Sequence, residues 1–518
     1  MKSDLRMTGL SVLSGILMSL SFPNIFFQGH DNPLFFLIWA AYLPFFYVLV
    51  REESVKLSGY YALICHAVFF IISLYWLKNV KPMGGFAYVS WLSLALLMAL
   101  HGAVAAIAVK ILEKRAGIST LLSLPVVFTL FEFVREHLVL GGFPLLNPAQ
   151  SQLKFTFITK ILPFAGAYGL IFLIYAVNGY AAYFIEHRKM GWRRPDSVLS
   201  LTLSAVLIFA AAAGSLYYKA PQGSELKVLI LQPNIDQDSG WDAEFRDRAI
   251  ANARSLISGA QKQTKETYDV VVWPETSFPD ILNIRPEQAV RIAAMTGNKS
   301  VHITGADRAE FKQGEPSYFN TAYAVSKKGK LLSHYSKHKL VPFGEYIPLQ
   351  DRFAFIKKVV RRYGYIGFTK GSGFEPLDTG DFKIGAMICY DSLFPEGARA
   401  FANKGASVLA HLSYESWYGV TPASAQVMQN TALRAVENRM WIMRSVESGI
   451  SAFIDPEGRI ISPTKLYEKA YISGTVKLNE GGRTFYTKHG AWFIALISLV
   501  LIAGFIAQTV RGYVLPRK

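Results

Sequence analysis

The sequence contains little cysteine and no recognisable metal or phosphate motif. Only two cysteines occur in 518 residues, and Cys65 lies in an apolar segment of lipid-spanning length, so the pair cannot form a disulfide framework. The ten histidines are scattered along the chain, which does not fit a His/Cys ligand set of the usual spacing. No glycine-rich phosphate loop is present. We therefore predict a protein without metal or cofactor, in which Cys389 is a free thiol.

Charged residues are scarce as well. Asp, Glu, Lys and Arg make up 18% of the chain, hydrophobic residues make up 51%, and the mean hydropathy is +0.25. This composition is too apolar for an ordinary soluble enzyme. The formal net charge of +17 is explained in part by basic loops beside membrane spans, so we predict no nucleic-acid partner. The expected class is a membrane protein with a soluble part.

Long uncharged stretches define the predicted membrane topology, because a helix needs about 20 mainly apolar residues to cross the hydrocarbon. We predict a seven-helix transmembrane domain over residues 1–220, a soluble domain over 221–488, and an eighth transmembrane helix with a cytoplasmic tail over 489–518. The predicted spans are Met7–Gln28, Pro33–Val50, Leu57–Leu77, Pro82–Val109, Ala116–Phe131, Ile161–Ile185, Ser197–Tyr218 and Ala491–Val510.

Basic residues in the loops predict the orientation. With the N-terminus inside, fourteen Lys and Arg residues lie in cytoplasmic loops and five lie in the opposite short loops. The positive-inside rule favours this arrangement. It places the soluble domain on the periplasmic side of a bacterial inner membrane. The five residues on the outer side are Lys78, Lys81, Arg135, Lys154 and Lys160.

The soluble domain alternates short apolar runs with amphipathic helical segments, which predicts an α/β layered domain. Helices are expected at Ala243–Ala260, Pro286–Met295, Phe394–Lys404 and Pro422–Met440. Strands are expected at Leu226–Gln232, Tyr268–Glu275, Ser300–Asp307, Phe319–Ser326, Phe382–Asp391, Ser407–Tyr414, Trp441–Glu447 and Ile450–Asp455.

Three residues in this domain suggest acyl-transfer chemistry. Cys389 ends a predicted buried strand, where a thiol can reach a cleft as a nucleophile if a base removes its proton. Glu275 closes another apolar strand and is the candidate base. Lys337 is the candidate donor to the charge that develops on a substrate oxygen. The order along the chain is carboxylate, lysine and cysteine.

The motifs around these residues resemble a known family. Trp273–Glu275, Tyr335–Leu340 and Ile388–Asp391 look like the three signatures of the nitrilase (carbon-nitrogen hydrolase) superfamily. The longer strings Leu340–Pro348 and Leu433–Arg439, together with seven predicted spans before the domain and one after it, are similar to its membrane branch, the apolipoprotein N-acyltransferases. The resemblance covers nearly the whole chain. It implies eight transmembrane helices and a periplasmic nitrilase-like α-β-β-α sandwich inserted between helices 7 and 8.

The resemblance also implies a two-step reaction through Cys389. A membrane phospholipid in the lipid bilayer donates an acyl chain to the thiol, and the free N-terminal amine of a diacylglyceryl apolipoprotein takes it from the thioester. Glu275 acts as base, Lys337 as oxyanion donor, and Glu345 orients Lys337. No cofactor is implied, and we expect a monomer.

Five further residues are candidate substrate contacts, and Asp391 stands where the family usually has glutamate. A membrane-tethered nitrilase-type amidase that hydrolyses small amides would share the three catalytic residues but needs no eight spans. A transport or scaffold protein would explain the spans but not the ordered motifs. The candidate substrate contacts are Trp241, Tyr390, Asp391, Trp417 and Tyr418.

Overall fold

A computed structural model describes residues 2–29, 31–80, 84–137, 141–187, 204–205, 223–235, 243–312, 315–348, 350, 352–353 and 367–514. The chain divides into two compact units. We call them the helical unit, formed by Met1–Tyr218, Trp417–Leu433 and His489–Lys518, and the α/β unit, formed by Lys219–Ser416 and Arg434–Lys488.

Apolar helices dominate the helical unit. Four of the described helices are long and apolar enough to cross a membrane: Val55–Ser73, Phe86–Ala116, Leu162–Glu186 and Trp492–Val510. The predicted seventh span, Ser197–Tyr218, lies outside the described residues except at positions 204–205. Among the described residues up to 187, the helices are α1 (Lys2–Leu20), α2 (Ile38–Ala41), α3 (Leu43–Arg51), α4 (Val55–Ser73), α5 (Phe86–Ala116), α6 (Thr120–His137), α7 (Thr156–Thr159) and α8 (Leu162–Glu186).

Several helix boundaries differ from the prediction, and two of the differences have clear local reasons. The second predicted span is not one helix, because a 3₁₀ turn and α2 precede α3, and Pro44 in the first turn of α3 has no N–H to continue a helical ladder from the preceding turn. Between α5 and α6, Gly117 adopts a left-handed φ of 65° and caps α5. The next helix therefore begins at Thr120 rather than at Ala116.

The α/β unit contains two six-stranded sheets. The first has the order β12-β1-β2-β3-β4-β5 and the second has the order β11-β10-β9-β8-β7-β6. The central pairs β1–β2, β2–β3, β7–β8 and β8–β9 are parallel. The strands are β1 (Glu225–Gln232), β2 (Val270–Val272), β3 (Val301–Lys312), β4 (Glu315–Val325), β5 (Leu331–Ser336), β6 (Leu377–Asp378), β7 (Lys383–Ile388), β8 (Val408–Ser413), β9 (Ile442–Val446), β10 (Ala452–Ile454), β11 (Ile460–Ile461) and β12 (Ala470–Lys477).

Helices pack on these sheets, and the two sheets meet in the interior. The side chain of Ser445 in β9 donates to the carbonyl oxygen of Leu231 in β1 at 2.7 Å. Apolar side chains of the helix Ala243–Thr264, such as Ile257, share a buried core with Val271 and Trp273 of the first sheet. The remaining helices among the described residues are α9 (Ala243–Thr264), α10 (Gln288–Ala294), α11 (Pro395–Asn403), α12 (Ala423–Asn438), α13 (Phe485–His489) and α14 (Trp492–Val514).

The sequence did not predict β5, β6, β11 or β12. Strands β5 and β12 are partly exposed along much of their length, and β6 and β11 are only two residues long, so none of the four presents a continuous apolar run. The eight strands that were predicted are all present, although β2 is shorter than expected and β3 extends to Lys312. Buried central strands thus carry a stronger sequence signal than the edge strands do.

Helix α12 begins in the helical unit, although the sequence assigned it to the soluble domain. The contacts of Gln426 show why the start of α12 belongs to the helical unit. Its side chain is buried and forms hydrogen bonds with three residues of that unit. The indole of Trp76 donates to its Oε1 at 3.0 Å, and its Nε2 donates to the carbonyl oxygens of Pro23 and Ser73 at 2.9 and 3.0 Å. Such satisfied buried amides fix one packing arrangement.

Candidate active site

Glu275 lies three residues beyond β2, and its side chain is only 5% exposed. Oε1 accepts a hydrogen bond from the amide Nδ2 of Asn320 at 2.7 Å, and Oε2 accepts one from the backbone N–H of Tyr414 at 2.8 Å. These two donors fix the orientation of the carboxylate. Oε2 keeps a second lone pair for a proton.

A glycine allows this strand end to approach β3. A Cβ at Gly305 would lie 2.6 Å from the carbonyl oxygen of Pro274 and 2.5 Å from the backbone nitrogen of Thr276. No side chain fits in that space, so Gly305 is required for the backbone around Glu275 to lie against the neighbouring strand.

Lys337 follows β5 and is 1% exposed. Its Nζ donates to Oε1 of Glu345 at 2.8 Å and lies 3.4 Å from Oε1 of Glu275. Glu345 is itself held, because its Oε2 accepts the backbone N–H of Val341 at 2.8 Å. A buried cation is tolerated where carboxylates surround it, and Lys337 is therefore fixed between two of them.

Cys389 follows directly after β7 and is partly exposed. Its φ is +47°, a left-handed value that is uncommon for a residue with a Cβ. Strained backbone of this kind concentrates at active sites. The thiol lies within electrostatic range of Glu275, Lys337 and Glu345. The structure thus brings all four predicted catalytic residues into one cluster.

The electrostatics of the cluster suit proton transfer. Burial raises the pKa of the Cys389 thiol, Glu275 raises it further, and Lys337 acts in the opposite direction. Burial also raises the pKa of Glu275, an effect that Lys337 partly offsets. Burial acts to lower the pKa of Lys337, but Glu345 and Glu275 outweigh it and raise that pKa well above its usual value. Lys337 therefore stays cationic beside a carboxylate of increased proton affinity.

Asp391 lies beside the nucleophile but is fully buried. Its carboxylate accepts the hydroxyl of Tyr335 at 2.8 Å and the backbone N–H groups of Lys339 at 2.7 Å and Ile388 at 3.3 Å. Burial raises the pKa of Asp391 to about 7. These bonds tie the segment after Lys337 to the end of β7. Both carboxylate oxygens therefore have protein donors, which suits a positioning role, and the role of Asp391 as a substrate contact stays a prediction.

The predicted aromatic contacts are in different surroundings. Tyr390 is partly exposed, and its ring centroid lies 5.1 Å from that of Phe394. Trp417 and Tyr418 belong to the helical unit, where the ring of Tyr418 packs edge-on at 4.8 Å from Trp76. Trp241 lies outside the described residues. Their role as substrate contacts stays a prediction.

A buried chain of polar groups behind the nucleophile was not predicted. Arg444 and Glu415 form an ion pair at 2.6 Å with both side chains fully buried. A second guanidinium nitrogen of Arg444 lies 2.6 Å from Nδ1 of His411, so that ring nitrogen accepts a hydrogen bond. Nε2 then carries the proton and donates to the carbonyl oxygen of Cys389 at 3.2 Å. The sequence signal that could have indicated this chain of polar groups is an ionisable residue inside each of two apolar strands, His411 in β8 and Arg444 in β9.

Two polar residues on neighbouring strands were also missed. Asn320 in β4 is 2% exposed and donates to Glu275 and, at 3.3 Å, to Glu345. Asp307 in β3 is its direct cross-strand partner. Burial, followed by the charge of Glu275, raises the pKa of Asp307 to about 6. The sequence showed both residues in predicted strands, but only the strand pairing places them together.

Comparison with known proteins identifies the family. The model of the apolipoprotein N-acyltransferase N-terminal domain matches residues 14–180, and the carbon-nitrogen hydrolase model matches residues 230–486. An apolipoprotein N-acyltransferase from Geobacter metallireducens is 32% identical over 500 residues, which cover 93% of this chain and 92% of that protein. This chain belongs to the apolipoprotein N-acyltransferase family. The resemblance seen in the motifs is confirmed.

Further relatives agree with this assignment. An apolipoprotein N-acyltransferase from Allorhizobium ampelinum is 30% identical over 85% of this chain and 84% of its own length. Among solved structures, a carbon-nitrogen hydrolase from Helicobacter pylori is 20% identical, covers 49% of this chain and 89% of its own, and has a TM-score of 0.38. The family models and the curated relatives show that the protein is an acyltransferase of the nitrilase superfamily with membrane-type helices.

Proposed function

We propose that this acyltransferase moves an acyl chain from a membrane phospholipid, through a thioester on Cys389, to the free N-terminal amine of diacylglyceryl-cysteine apolipoproteins. The observation that supports it most strongly is the cluster around Lys337, a buried ammonium held by Glu275 and Glu345 within electrostatic range of the Cys389 thiol. The names of the relatives supply the acceptor class. The thiol of Cys389 and the candidate base Glu275 support the route through a thioester.

In the first half-reaction, Glu275 takes the thiol proton as the sulfur of Cys389 attacks the sn-1 ester carbonyl. The resulting oxyanion is stabilised by the ammonium of Lys337. When the ester C–O bond breaks, Glu275 returns the proton to the departing lysophospholipid oxygen, and the thioester remains. Asn320 and Tyr414 each donate a hydrogen bond to Glu275, and these bonds keep its carboxylate in place during both proton transfers.

In the second half-reaction, the acceptor amine attacks the thioester carbonyl. Lys337 again stabilises the oxyanion, and Glu275 takes a proton from the nitrogen. The C–S bond then breaks, an amide forms, and the proton returns to the sulfur of Cys389. Transfer rather than hydrolysis requires that the amine outcompete water.

The alternative is a membrane-tethered amidase that uses the same residues on small soluble amides. We expect a diacylglyceryl-cysteine peptide with a free α-amine to discharge the acyl-enzyme, and the same peptide with an acetylated amine to leave it intact, since it has no nucleophile. Mass spectrometry of the trapped enzyme measures both outcomes. Rapid turnover of small amides, with no acylation by phospholipid, would support the amidase and reject the transferase.

The proposed setting is the bacterial inner membrane, with a monomeric chain, eight transmembrane helices and the α/β unit on the periplasmic side. The proposal is supported by the bias of basic loop residues. Neither a metal nor a cofactor takes part in the proposed reaction.

Orientation is testable by cysteine labelling in a Cys65→Ala, Cys389→Ala background. A membrane-impermeant thiol reagent applied to intact spheroplasts should label a cysteine placed at Ser224 and should not label one placed at Ser197 or Lys518. After permeabilisation, all three should react, which controls for local accessibility. Labelling of position 518 but not 224 in intact spheroplasts would invert the proposed orientation.

A further inference from the structure

Asn320 has one polar atom that nothing in the described part of the chain satisfies. Its Nδ2 donates to the carboxylates of Glu275 and Glu345, and this fixes which end of the amide is nitrogen. Its Oδ1 must therefore be an acceptor. That oxygen is buried and receives no hydrogen bond from any described residue. A buried acceptor without a donor is costly, which indicates that another molecule supplies the donor.

Asp307 presents a second acceptor of the same kind. It lies directly opposite Asn320 in the antiparallel β3–β4 pair, and side chains of such partners lie on the same face of the sheet. Its Oδ1 is also buried and receives no hydrogen bond from the described residues. The adjacent Arg308 does not serve it, because that guanidinium pairs with Glu310 and packs on the ring of Phe319.

Two neighbouring acceptors, one of them a carboxylate, suit a cationic group with several N–H donors. They lie beside Glu275, the base of the proposed reaction. We propose that Asp307 and Asn320 form the site that receives the α-ammonium group of the acceptor, an inference that rests on the proposed transferase function. Oδ1 of Asn320 and Oδ1 of Asp307 each accept one N–H of this group.

The site also solves a chemical problem of the second half-reaction. An α-amino group has a pKa of about 7.7–8.0, so it is largely protonated at neutral pH and cannot attack a thioester. Asp307, whose pKa burial raises to about 6, is ionised at neutral pH and takes one proton from the ammonium. The neutral amine attacks the thioester carbonyl, and Glu275 passes a second nitrogen proton to the sulfur of Cys389. Asp307 then releases its proton to water.

The test is Asp307→Asn, assayed separately in each half-reaction. Asparagine preserves the shape and can itself donate to Oδ1 of Asn320, so the strand pair is retained. We expect acylation of Cys389 by phospholipid to remain within about twofold of wild type, and discharge by diacylglyceryl-cysteine peptide to slow by about 10- to 100-fold, as for loss of one charged hydrogen bond. Discharge by hydroxylamine, which is uncharged at neutral pH, should be unchanged. Glu310→Gln, in the same strand, is the matched control.

The outcomes separate this inference from the proposed function. If wild-type enzyme is not acylated by phospholipid, the proposed function fails and the inference fails with it. If wild type is acylated and Asp307→Asn discharges to the peptide at the normal rate, the site holds only water and the inference is rejected. Equal slowing of acylation, peptide discharge and hydroxylamine discharge would make Asp307 a structural support of Glu275 and would also reject it.

Discussion

Replacing Cys389 by serine is expected to remove acyl transfer while leaving the protein folded in the membrane. A serine hydroxyl is far less acidic and less nucleophilic than a thiol, and the base at Glu275 is suited to the thiol. The loss should reach at least about a thousandfold, in keeping with removal of a nucleophile elsewhere. The measurement is transfer of a labelled acyl chain to a diacylglyceryl-cysteine peptide by purified enzyme in detergent–phospholipid micelles.

The second cysteine supplies the matched control. Cys65 is fully buried in α4 of the helical unit, where its sulfur lies 3.8 Å from that of Met18. Cys65→Ala should keep its transferase activity, because this thiol only packs. Substantial activity in Cys389→Ser, at expression equal to wild type, would rule out Cys389 as the nucleophile.

Glu275→Gln and Lys337→Met should each reduce transfer by several orders of magnitude. Glutamine keeps the shape of Glu275 but cannot accept the thiol proton, and methionine keeps much of the bulk of Lys337 but cannot stabilise an oxyanion. Because both groups act in the same transition states, the double variant should be little worse than either single variant. Single-turnover acylation of Cys389 by phospholipid measures each effect before any acceptor is added.

Lys330→Met is the control for the lysine replacement, since Lys330 is exposed immediately before the same strand, β5. It should acylate at the wild-type rate. Thermal unfolding of each variant separates chemistry from folding, because Lys337→Met leaves Glu275 and Glu345 without their shared cation and should lower stability. Fully additive losses in the double variant would show that Glu275 and Lys337 do not act together.

Much of the site was predictable because its main residues have strong local signals. Glu275 and Cys389 each follow an apolar run, so the sequence alone places them at strand ends. Lys337 follows β5, which the sequence did not predict, and was recognised by its motif. The strands β2 and β5 belong to the first sheet and β7 belongs to the second, so the meeting of these three residues depends on how the two sheets pack, which the strand signals alone do not give. The family motifs pointed to the same residues.

The supporting residues depend on pairings that are distant in sequence. Asp307 and Asn320 become neighbours only through the register of β3 and β4. His411 and Arg444 meet because β8 and β9 are parallel partners, although 33 residues separate them along the chain. A single sequence indicates that a polar residue lies in a buried strand, but not which residue it meets.

The surroundings of Asp391 also depend on residues distant in sequence. Its position after Cys389 predicted contact with substrate, and the structure adds three hydrogen bonds that hold its carboxylate, two of them from Tyr335 and Lys339. The membrane segments show the same limit. Their existence follows from apolar length, while the break before α3 and the shifted start of α6 depend on Pro44 and Gly117.

The most direct test of the central proposal is the mass of the peptide that contains Cys389 after wild-type enzyme is incubated with a phospholipid of defined acyl chains and no acceptor. The proposed reaction predicts that this peptide gains one acyl group of the donor, that hydroxylamine removes it, and that a diacylglyceryl-cysteine peptide removes it with formation of an amide. An unmodified Cys389 peptide from enzyme that still transfers acyl chains would contradict the thioester route.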